Sequence, residues 1–268
     1  MRLSLATALR SITGPYRSDN QDSLGSSTDY VFVADGVGGH VGGDVASWTI
    51  THRLMASLAT VATQRLTEEA LRELVAVANA ELRLRGDREP ALAGMSTTLT
   101  GVFCGDDTVR VVHIGDSRAY LVRDGVGRRM TRDDSLVQLL LDQGTIDDAE
   151  AAFHPHRNII LHSLSGDLDD AASLTVHVVP ASPGDRWLVC SDGLTDYVDE
   201  AEILRLLAMG TVEEAADALV AAALEAETHD NVSVGVAEVV LAQDDARPYR
   251  CLGAAAAPEV GEAADLSG

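Results

Sequence analysis

Three features of the sequence predict an α+β layered fold. Strand-like segments follow one another with short turns between them, helical segments come in two separate pairs, and hydrophobic residues make up 46% of the 268 residues. Strands that are segregated from helices favour this class over a parallel β-α-β arrangement. Since a chain of this length is compatible with a single core, we assign one domain to residues 1–242.

Eight segments have the apolar and β-branched composition of strands. They are residues 4–10, 29–34, 96–104, 108–114, 118–123, 174–179, 186–190 and 232–240. Turn signals rich in glycine and aspartate separate several of them, at 104–107, 124–127 and 183–185. Consecutive strands with such short links indicate antiparallel meanders.

The helical segments have apolar residues at helical spacing, such as Leu71 and Val75. They are roughly residues 43–62 and 67–85 in the first pair, and 199–208 and 212–226 in the second. Thr211 followed by Glu214 fits a capping box at the start of the last helix. Each pair is expected to cover one side of the strands.

Two further segments have a mixed or weak pattern. Residues 134–170 are predicted to form an insert with short helices between the strand groups. Residues 243–268 are rich in alanine, acidic and without periodicity, so we predict a disordered tail.

Charge and composition exclude several classes of function. The formal net charge of −22 argues against nonspecific binding to nucleic acid or to an anionic membrane, both of which need a basic face. The sequence contains no lysine, which excludes Walker-type and Schiff-base lysine chemistry. The excess of acids serves solubility, or some of the acids are clustered to hold cations.

The cysteines indicate a reducing compartment. Cys104, Cys190 and Cys251 are odd in number and form no C-x-x-C pair, which argues against a disulfide framework and a structural zinc site. No apolar run is long enough to span a bilayer. We therefore expect a cytoplasmic protein with no membrane contact.

Five aspartates share one local setting, at or beside the end of an apolar strand. They are Asp22, Asp35, Asp116, Asp192 and Asp230. Any one of them alone would be interpreted as a turn residue. Together they predict a site, because the ends of strands in packed sheets can converge and clustered carboxylates repel one another unless a cation is present. Oxygen ligands of this kind suit Mg²⁺ or Mn²⁺. The glycines beside Asp35 and Asp192 would let a main-chain carbonyl or a water-bound metal approach closely. The aspartates that come in pairs in and beside the insert are interpreted instead as a solvated face: Asp133, Asp134, Asp147, Asp148, Asp169 and Asp170.

These acids lie in motifs that resemble a known family. The stretches "RSDNQDS", "VADGVGGH", "MSTTLT", "HIGDSRAYL", "CSDGLTD" and "HDNVSV" occur in the order expected of the metal-dependent protein phosphatase (PPM, type 2C) family, in its single-domain bacterial branch. The resemblance covers about residues 3–241. It implies a four-layer α/β/β/α sandwich with two central antiparallel sheets flanked by helix pairs.

The resemblance also implies a binuclear Mn²⁺ or Mg²⁺ centre. Asp35 would bridge both ions, the Gly36 carbonyl would bind one, and Asp192 and Asp230 would complete the ligands. Asp116 has two interpretations: with Asp192 it holds a weaker third ion, or it caps the turn that follows it.

The remaining catalytic assignments follow from the same motifs. Arg17 would bind the phosphate group, for which a guanidinium fork is suited, and this role is favoured over that of a surface arginine because the motif that follows it is intact. Asp22 would orient a metal-bound water. Gln21 stands where many members carry glutamate. His40 is either a general acid that protonates the departing serine or threonine oxygen, or a residue that positions the glycine loop.

The implied reaction is hydrolysis of phosphoserine and phosphothreonine by direct attack of a metal-bridging hydroxide. The expected partners are phosphorylated proteins, the substrates of a bacterial serine/threonine kinase, and we expect a monomer. One alternative is a pseudophosphatase that binds phosphoproteins without turnover, and another is a phosphohydrolase of small phosphate esters. His154 and His156 of the insert are expected to make local hydrogen bonds and not to bind metal. Substrate contacts in the insert do not transfer from relatives, because Asp134 and His162 depart from the usual residues.

Overall fold

Two antiparallel β-sheets lie at the centre of the computed structural model, which describes residues 2–37, 42–242 and 249–258. The strands in chain order are β1 (Leu3–Ile12), β2 (Asp22–Ser26), β3 (Tyr30–Val37), β4 (Ser96–Thr97), β5 (Leu99–Cys104), β6 (Thr108–Ile114), β7 (Arg118–Arg123), β8 (Val126–Arg129), β9 (Thr175–Pro180), β10 (Arg186–Cys190), β11 (Val232–Leu241) and β12 (Arg250–Gly253). Within the described residues the first sheet has the order β1-β11-β10-β7-β8. The second has the order β12-β2-β3-β5-β6-β9, with β4 paired to β3.

Helices cover the outer face of each sheet. In chain order the helices are α1 (Gly43–Leu58), α2 (Glu68–Arg88), α3 (Leu136–Asp142), α4 (Asp148–Ala152), α5 (Asp170–Ser173), α6 (Asp192–Thr195), α7 (Glu200–Leu207) and α8 (Val212–Glu225). Of these, α1 and α2 cover the second sheet, and α7 and α8 cover the first. Leu54 of α1 and Leu71 of α2 belong to one buried cluster with Phe32 of the second sheet. Ile203 of α7 and Leu219 of α8 belong to the cluster that covers the first sheet. The four layers confirm the predicted α/β/β/α sandwich.

Strand β3 is apolar on both faces, and this explains its sequence. Successive side chains of a strand point to opposite faces. Val31 and Val33 therefore enter the core between the two sheets, whereas Tyr30 and Phe32 enter the core beneath α1 and α2. Because the strand is buried on both sides, it carries Asp35 to the sheet edge without an intervening polar residue.

The local signals for the helix starts are confirmed. Thr211 is the N-cap of α8, and its hydroxyl accepts from the Glu214 N–H while the Glu214 side chain accepts from the Thr211 N–H. Helix α1 ends at Leu58, four residues before the predicted end at 62.

The prediction of a disordered tail is wrong for residues 249–258. Strand β12 pairs antiparallel with β2, and Leu252 lies opposite Leu24. Ala254 and Ala255 follow in a 3₁₀ turn and are buried. The alanines have no pattern of their own because their order comes from the edge of β2 and from α1. Residues 243–248 and 259–268 of the tail lie outside the described residues.

The insert contains short helices, as predicted, but its aspartates at 133–134 are not a solvated face. Asp133 is buried and accepts from the guanidinium groups of Arg118 and Arg129. Asp134 accepts from the N–H of Gly115 at 3.0 Å. Both therefore connect the insert to the first and second sheets.

In the part of the chain that the structure describes, none of the helices combines the length and the apolar composition needed to cross a bilayer.

Candidate active site

Asp22 and Asp35 lie opposite each other on neighbouring strands. Asp22 begins β2, and the antiparallel register pairs it directly with Asp35 of β3. Asp22 is 1% exposed and accepts from the Ser191 hydroxyl at 2.7 Å. Directly opposed residues of such a pair have Cβ atoms about 5 Å apart. Two carboxylates at that spacing repel each other unless a proton or a cation intervenes.

The main chain of Asp35 is fixed by the threonines of "MSTTLT". The Asp35 N–H donates to Thr98 Oγ1 at 3.1 Å. Its carbonyl accepts from the Thr98 N–H at 2.9 Å and from the Thr97 hydroxyl at 2.8 Å. This motif therefore positions the acid without contributing a charged group.

Asp192 lies where β10 leads into α6, beside the start of β11. The next residue, Gly193, packs against the main chain of Asn231, so closely that an added Cβ would lie 1.9 Å from the Asn231 carbonyl oxygen. The Thr228 hydroxyl donates to the Gly193 carbonyl at 2.9 Å. These contacts join the two strand ends and bring Asp192 close to Asp230.

Asp230 immediately precedes β11 and accepts from two donors. Arg17 Nη2 donates to its Oδ2 at 2.7 Å, and the Asn231 N–H donates to its Oδ1 at 2.8 Å. Arg17 Nε also donates to the His229 carbonyl at 3.3 Å. The arginine is thus tied to the carboxylate and to the loop before β11.

Asp116 lies in the turn between β6 and β7. The preceding Gly115 exchanges main-chain and side-chain hydrogen bonds with Asp134, whose N–H donates to the Gly115 carbonyl at 2.7 Å. The following Ser117 pairs its hydroxyl with that of Thr98 at 2.8 Å. The turn is therefore attached both to the insert and to the threonine that holds Asp35.

Gly36 is required by close packing of the main chain. Its N–H donates to the Gln21 carbonyl at 3.2 Å, and an added Cβ would lie 2.4 Å from the carbonyl group of Gly43. The glycines beside Asp35 and Asp192 were expected to let a carbonyl or a water-bound metal approach. At both positions the structure shows another part of the main chain in that space.

The predicted convergence of strand ends is confirmed, because four of the acids line one cavity of about 370 Å³. The residues that line it are Arg17, Gln21, Asp35, Gly36, Val37, Asp116, Asn158, Ile160, Asp192, Asp230 and Asn231. Asp22 lies next to this cavity as the cross-strand partner of Asp35. His40 lies outside the described residues, so its two interpretations stay predictions.

The acids perturb one another. Burial raises the pKa of Asp22 to about 6 and that of Asp116 to about 7. Burial, reinforced by the charges of the neighbouring aspartates, raises the pKa of Asp35 and Asp192 well above the usual range. Each shift disfavours the charged form, and a bound cation would offset the burial and the repulsion that cause it.

The donor set fits divalent ions that keep several waters. Within the described residues, no three His, Cys, Asp or Glu side chains close on one point as a complete ligand group. The acids instead surround a cavity together with the Gly36 main chain. Mg²⁺-like ions are commonly held by one or two carboxylates and otherwise by water, and this arrangement leaves room for that water.

Several residues of the site were not assigned from the sequence. Asn231 holds the Gln21 N–H at 2.8 Å through its Oδ1, and Ser191 donates to Asp22. Both stand beside an acid in the quoted motifs, which was the available signal. Asn158 and Ile160 of the insert also line the cavity, but nothing in the insert sequence indicates this.

The histidines of "HPH" make a local contact, as expected. The His156 N–H donates to His154 Nδ1 at 3.2 Å. They line a separate surface cavity formed by residues 153–159.

Known proteins are similar to this chain over most of its length. Residues 17–227 match the family model described as Protein phosphatase 2C. The serine/threonine protein phosphatase PstP of Mycobacterium tuberculosis is 39% identical over 241 residues, which cover 89% of this chain and 46% of PstP. The chain thus spans about half the length of this mycobacterial relative.

One further relative and one crystallised catalytic domain match over nearly their whole length. The serine/threonine phosphatase stp of Listeria monocytogenes is 36% identical over 244 residues, which cover 87% of this chain and 96% of stp. A crystal structure of the PstP catalytic domain in complex with two manganese ions has a TM-score of 0.78 and 38% identity, over 89% of this chain and 99% of that chain.

Proposed function

The chain belongs to the protein phosphatase 2C family, and on that premise we propose that it hydrolyses phosphoserine and phosphothreonine in proteins with two Mn²⁺ or Mg²⁺ ions. One observation carries the proposal: four carboxylates and one guanidinium line a single cavity. The carboxylates suit hard cations, and the guanidinium suits the oxygens of a phosphate ester.

The ligands that we propose for the ions are Asp35, Asp192, Asp230 and the main-chain carbonyl of Gly36. When bound, the ions supply an activated water and offset negative charge on the phosphoryl oxygens. Asp116 lies in the same cavity as Asp192, and we propose that this pair takes a third, weaker ion. The manganese structure of the relative supports this choice of metal.

The chain's own residues orient the substrate. Two N–H groups of Arg17 hold it against Asp230 and His229, and the guanidinium retains further donors for the phosphate oxygens. Asp22, held by the Ser191 hydroxyl, would orient a water beside Asp35. The proposed role of His40 is to return a proton to the departing oxygen, with the alternative that it positions its loop.

The substrates that we propose are phosphoproteins made by a bacterial serine/threonine kinase. The proposal follows from the names of the relatives, which are serine/threonine phosphatases. We place the reaction in the cytoplasm, since Cys104 and Cys190 are buried free thiols that suit a reducing compartment. We expect the chain to act as a monomer.

The test is hydrolysis of p-nitrophenyl phosphate and of a phosphothreonine peptide, with Mn²⁺ and with a chelator, in the parent and in Asp192→Asn. We expect Mn²⁺-dependent turnover of both substrates and a loss of at least about a hundredfold in the variant, since even residues that only support metal ligands contribute 10–100-fold. Asp106→Asn is the matched control, because Asp106 is an exposed residue of the β5–β6 turn at the opposite end of the second sheet.

Each alternative predicts a different result. A pseudophosphatase would bind the phosphopeptide without turning it over in Mn²⁺. A phosphohydrolase of small esters would turn over p-nitrophenyl phosphate and leave the peptide intact. Full activity in the chelator would rule out the metal mechanism.

A further inference from the structure

Residues 250–257, which we call the strap, cover the edge of β2 and one side of α1. Strand β12 pairs with β2 so that Gly253 lies opposite Ser23. Trp48 of α1 donates from Nε1 to the Ala257 carbonyl at 3.1 Å. The strap lies beyond residues 17–227, which match the family model, so it is a feature of this chain outside that match.

The contact between Gly253 and Asp22 is close enough to require glycine. Gly253 has φ +72°, in the left-handed region, and an added Cβ would lie 2.1 Å from the Asp22 carbonyl oxygen. A residue with a side chain would therefore push the strap away from β2. The strap thus touches the main chain of an acid of the active site.

A chain of three hydrogen bonds leads from the strap into the site. The Ala255 N–H lies 3.1 Å from Ser23 Oγ, Ser23 Oγ lies 2.9 Å from Ser47 Oγ, and Ser47 Oγ lies 2.6 Å from the Gln21 carbonyl oxygen. The two ends fix its direction, since an N–H can only donate and a carbonyl can only accept. The Ser23 hydroxyl therefore donates to Ser47, and the Ser47 hydroxyl donates to Gln21.

This chain of hydrogen bonds, which we call the relay, connects to the proposed metal ligands through Gln21. Its carbonyl also accepts from the Gly36 N–H at 3.2 Å, and its N–H donates to Asn231 Oδ1 at 2.8 Å. The Asn231 N–H in turn donates to Asp230 at 2.8 Å. The main chain of one residue thus connects Gly36 of β3 with the loop before β11 that carries Asp230.

We propose that the strap, acting through Ser23 and Ser47, is a positioning element for divalent-cation binding at this cavity. Both serines are 0% exposed, so water does not replace a lost partner, and hydrogen bonds in series polarise one another. The inference rests on the proposed function, because it assumes that the cavity binds Mn²⁺ or Mg²⁺.

The test is calorimetric titration with Mn²⁺ of the full chain and of two truncated chains. The chain that ends at Ala242 lacks the strap, and the chain that ends at Pro258 keeps it and is the matched control. We expect the Kd for Mn²⁺ to rise about fivefold or more without the strap, the equivalent of one hydrogen bond. The control should bind like the full chain.

Ser23→Ala tests the relay in a chain that keeps the strap, and it remains informative if the shorter chain does not fold. We expect a similar rise in the Kd for Mn²⁺. In the chain that ends at Ala242, the same substitution should raise the Kd little further, because Ser23 there no longer has the strap as a hydrogen-bond partner. Val220→Ala in α8 controls for general destabilisation, since it should lower the melting temperature and leave the Kd unchanged.

The outcomes separate this inference from the proposed function. Mn²⁺ binding to Ser23→Ala that stays within about twofold of the parent, the margin for independent sites, overturns the role of the relay. A rise in the Kd that Val220→Ala reproduces overturns it as well, because the effect would then follow stability. If the full chain binds no Mn²⁺, the proposed metal centre fails and the inference fails with it.

Discussion

Arg17 Nη2 donates to Asp230 Oδ2 at 2.7 Å, so the proposed phosphate binder and a proposed metal ligand hold each other in place. The two side chains are 41% and 29% exposed. An ion pair exposed to this degree contributes little to the free energy of unfolding. The pair is therefore better explained by the positions it gives to the two groups than by stability.

Substitution of Arg17 should reduce turnover more than stability. In Arg17→Ala we expect kcat/KM for p-nitrophenyl phosphate to fall by about tenfold to a hundredfold, the range for charge-assisted hydrogen bonds to phosphate. The inhibition constant of inorganic phosphate should rise in parallel. Arg17→Lys should recover only part of the loss, because an ammonium group lacks the planar fork.

Arg10→Ala is the control for Arg17. Arg10 Nε donates to Asp217 at 2.6 Å, so this variant also breaks a surface ion pair, but on β1 and α8 away from the cavity. We expect unchanged kinetics. Equal losses in the two variants would contradict a specific phosphate role for Arg17.

The crowded acids predict an unusual pH dependence for the metal-free protein. In the folded chain the pKa of Asp22 is about 6 and that of Asp116 about 7, against an ordinary value of 3.8, because burial penalises their charged forms. The folded state therefore binds more protons than the unfolded state between these values. By linkage, this contribution to the free energy of unfolding grows as the pH falls through about 7 and 6 toward 3.8.

Melting temperatures at about pH 8 and about pH 6 test this expectation in chelator and in Mn²⁺. The metal-free protein should gain stability on acidification, and the Mn²⁺-loaded protein should lose it, because protons compete with the ions. His113 acts in the opposite sense, since burial lowers its pKa below the ordinary 6.5. Because Asp22→Asn keeps His113, the difference between its pH response and that of the parent gives the contribution of Asp22. An equal response in parent and variant would contradict the prediction.

The sequence predicted the layers because each strand has two faces to bury and each helix has one. It missed β2, whose residues "DSLGS" are small or polar except for Leu24, although all of them are buried between neighbouring strands. It missed β12 for a related reason, since a short alanine-rich segment gains its order from the partner strand. Pairing, and not composition, decides both elements.

The acids of the site were predictable because antiparallel sheets bring strand ends together. The groups that hold those acids in place were harder to predict. Thr98 bonds to Asp35 across 63 residues of sequence, and Asn231 bonds to Gln21 across 210 residues. Separations of this kind leave no periodic signal. The glycines were expected to admit either a main-chain carbonyl or a water-bound metal, and close contact with another main chain is what the structure shows at both.

Gly193 provides a test of that explanation. In Gly193→Ala the added methyl would lie 1.9 Å from the Asn231 carbonyl oxygen, so β10 and β11 must separate at the site. We expect the free energy of unfolding to fall by about 1–3 kcal/mol, as in other overpacked sites, and the Kd for Mn²⁺ to rise. Chemical denaturation and calorimetry measure the two effects.

Gly86→Ala is the matched control for Gly193. Gly86 lies inside α2, and an added Cβ would meet its nearest neighbour at 3.9 Å, an ordinary contact. Alanine there should stabilise the chain by about 0.5–1 kcal/mol, because glycine weakens a helix interior. A neutral effect of Gly193→Ala on Mn²⁺ binding would contradict the proposed link between Asp192 and Asp230.

Thr98 should matter through its hydroxyl and not through its volume. Its Oγ1 accepts from the Asp35 N–H at 3.1 Å and pairs with Ser117 at 2.8 Å. Thr98→Val keeps the shape and leaves the buried N–H without its acceptor, which costs about 1–3 kcal/mol of the free energy of unfolding. We expect weaker Mn²⁺ binding and lower kcat, since Asp35 and the turn of Asp116 lose their common support. Thr98→Ser should restore both.

Thr51→Val is the control for Thr98→Val, because it makes the same chemical change at another buried threonine. Thr51 is also fully buried, but within the described part of the chain its hydroxyl has no hydrogen-bond partner. The same substitution there removes an unsatisfied group, so we expect equal or greater stability and unchanged Mn²⁺ binding. If Thr98→Val matched Thr51→Val in denaturation and in calorimetry, the hydroxyl of Thr98 would not be what positions Asp35.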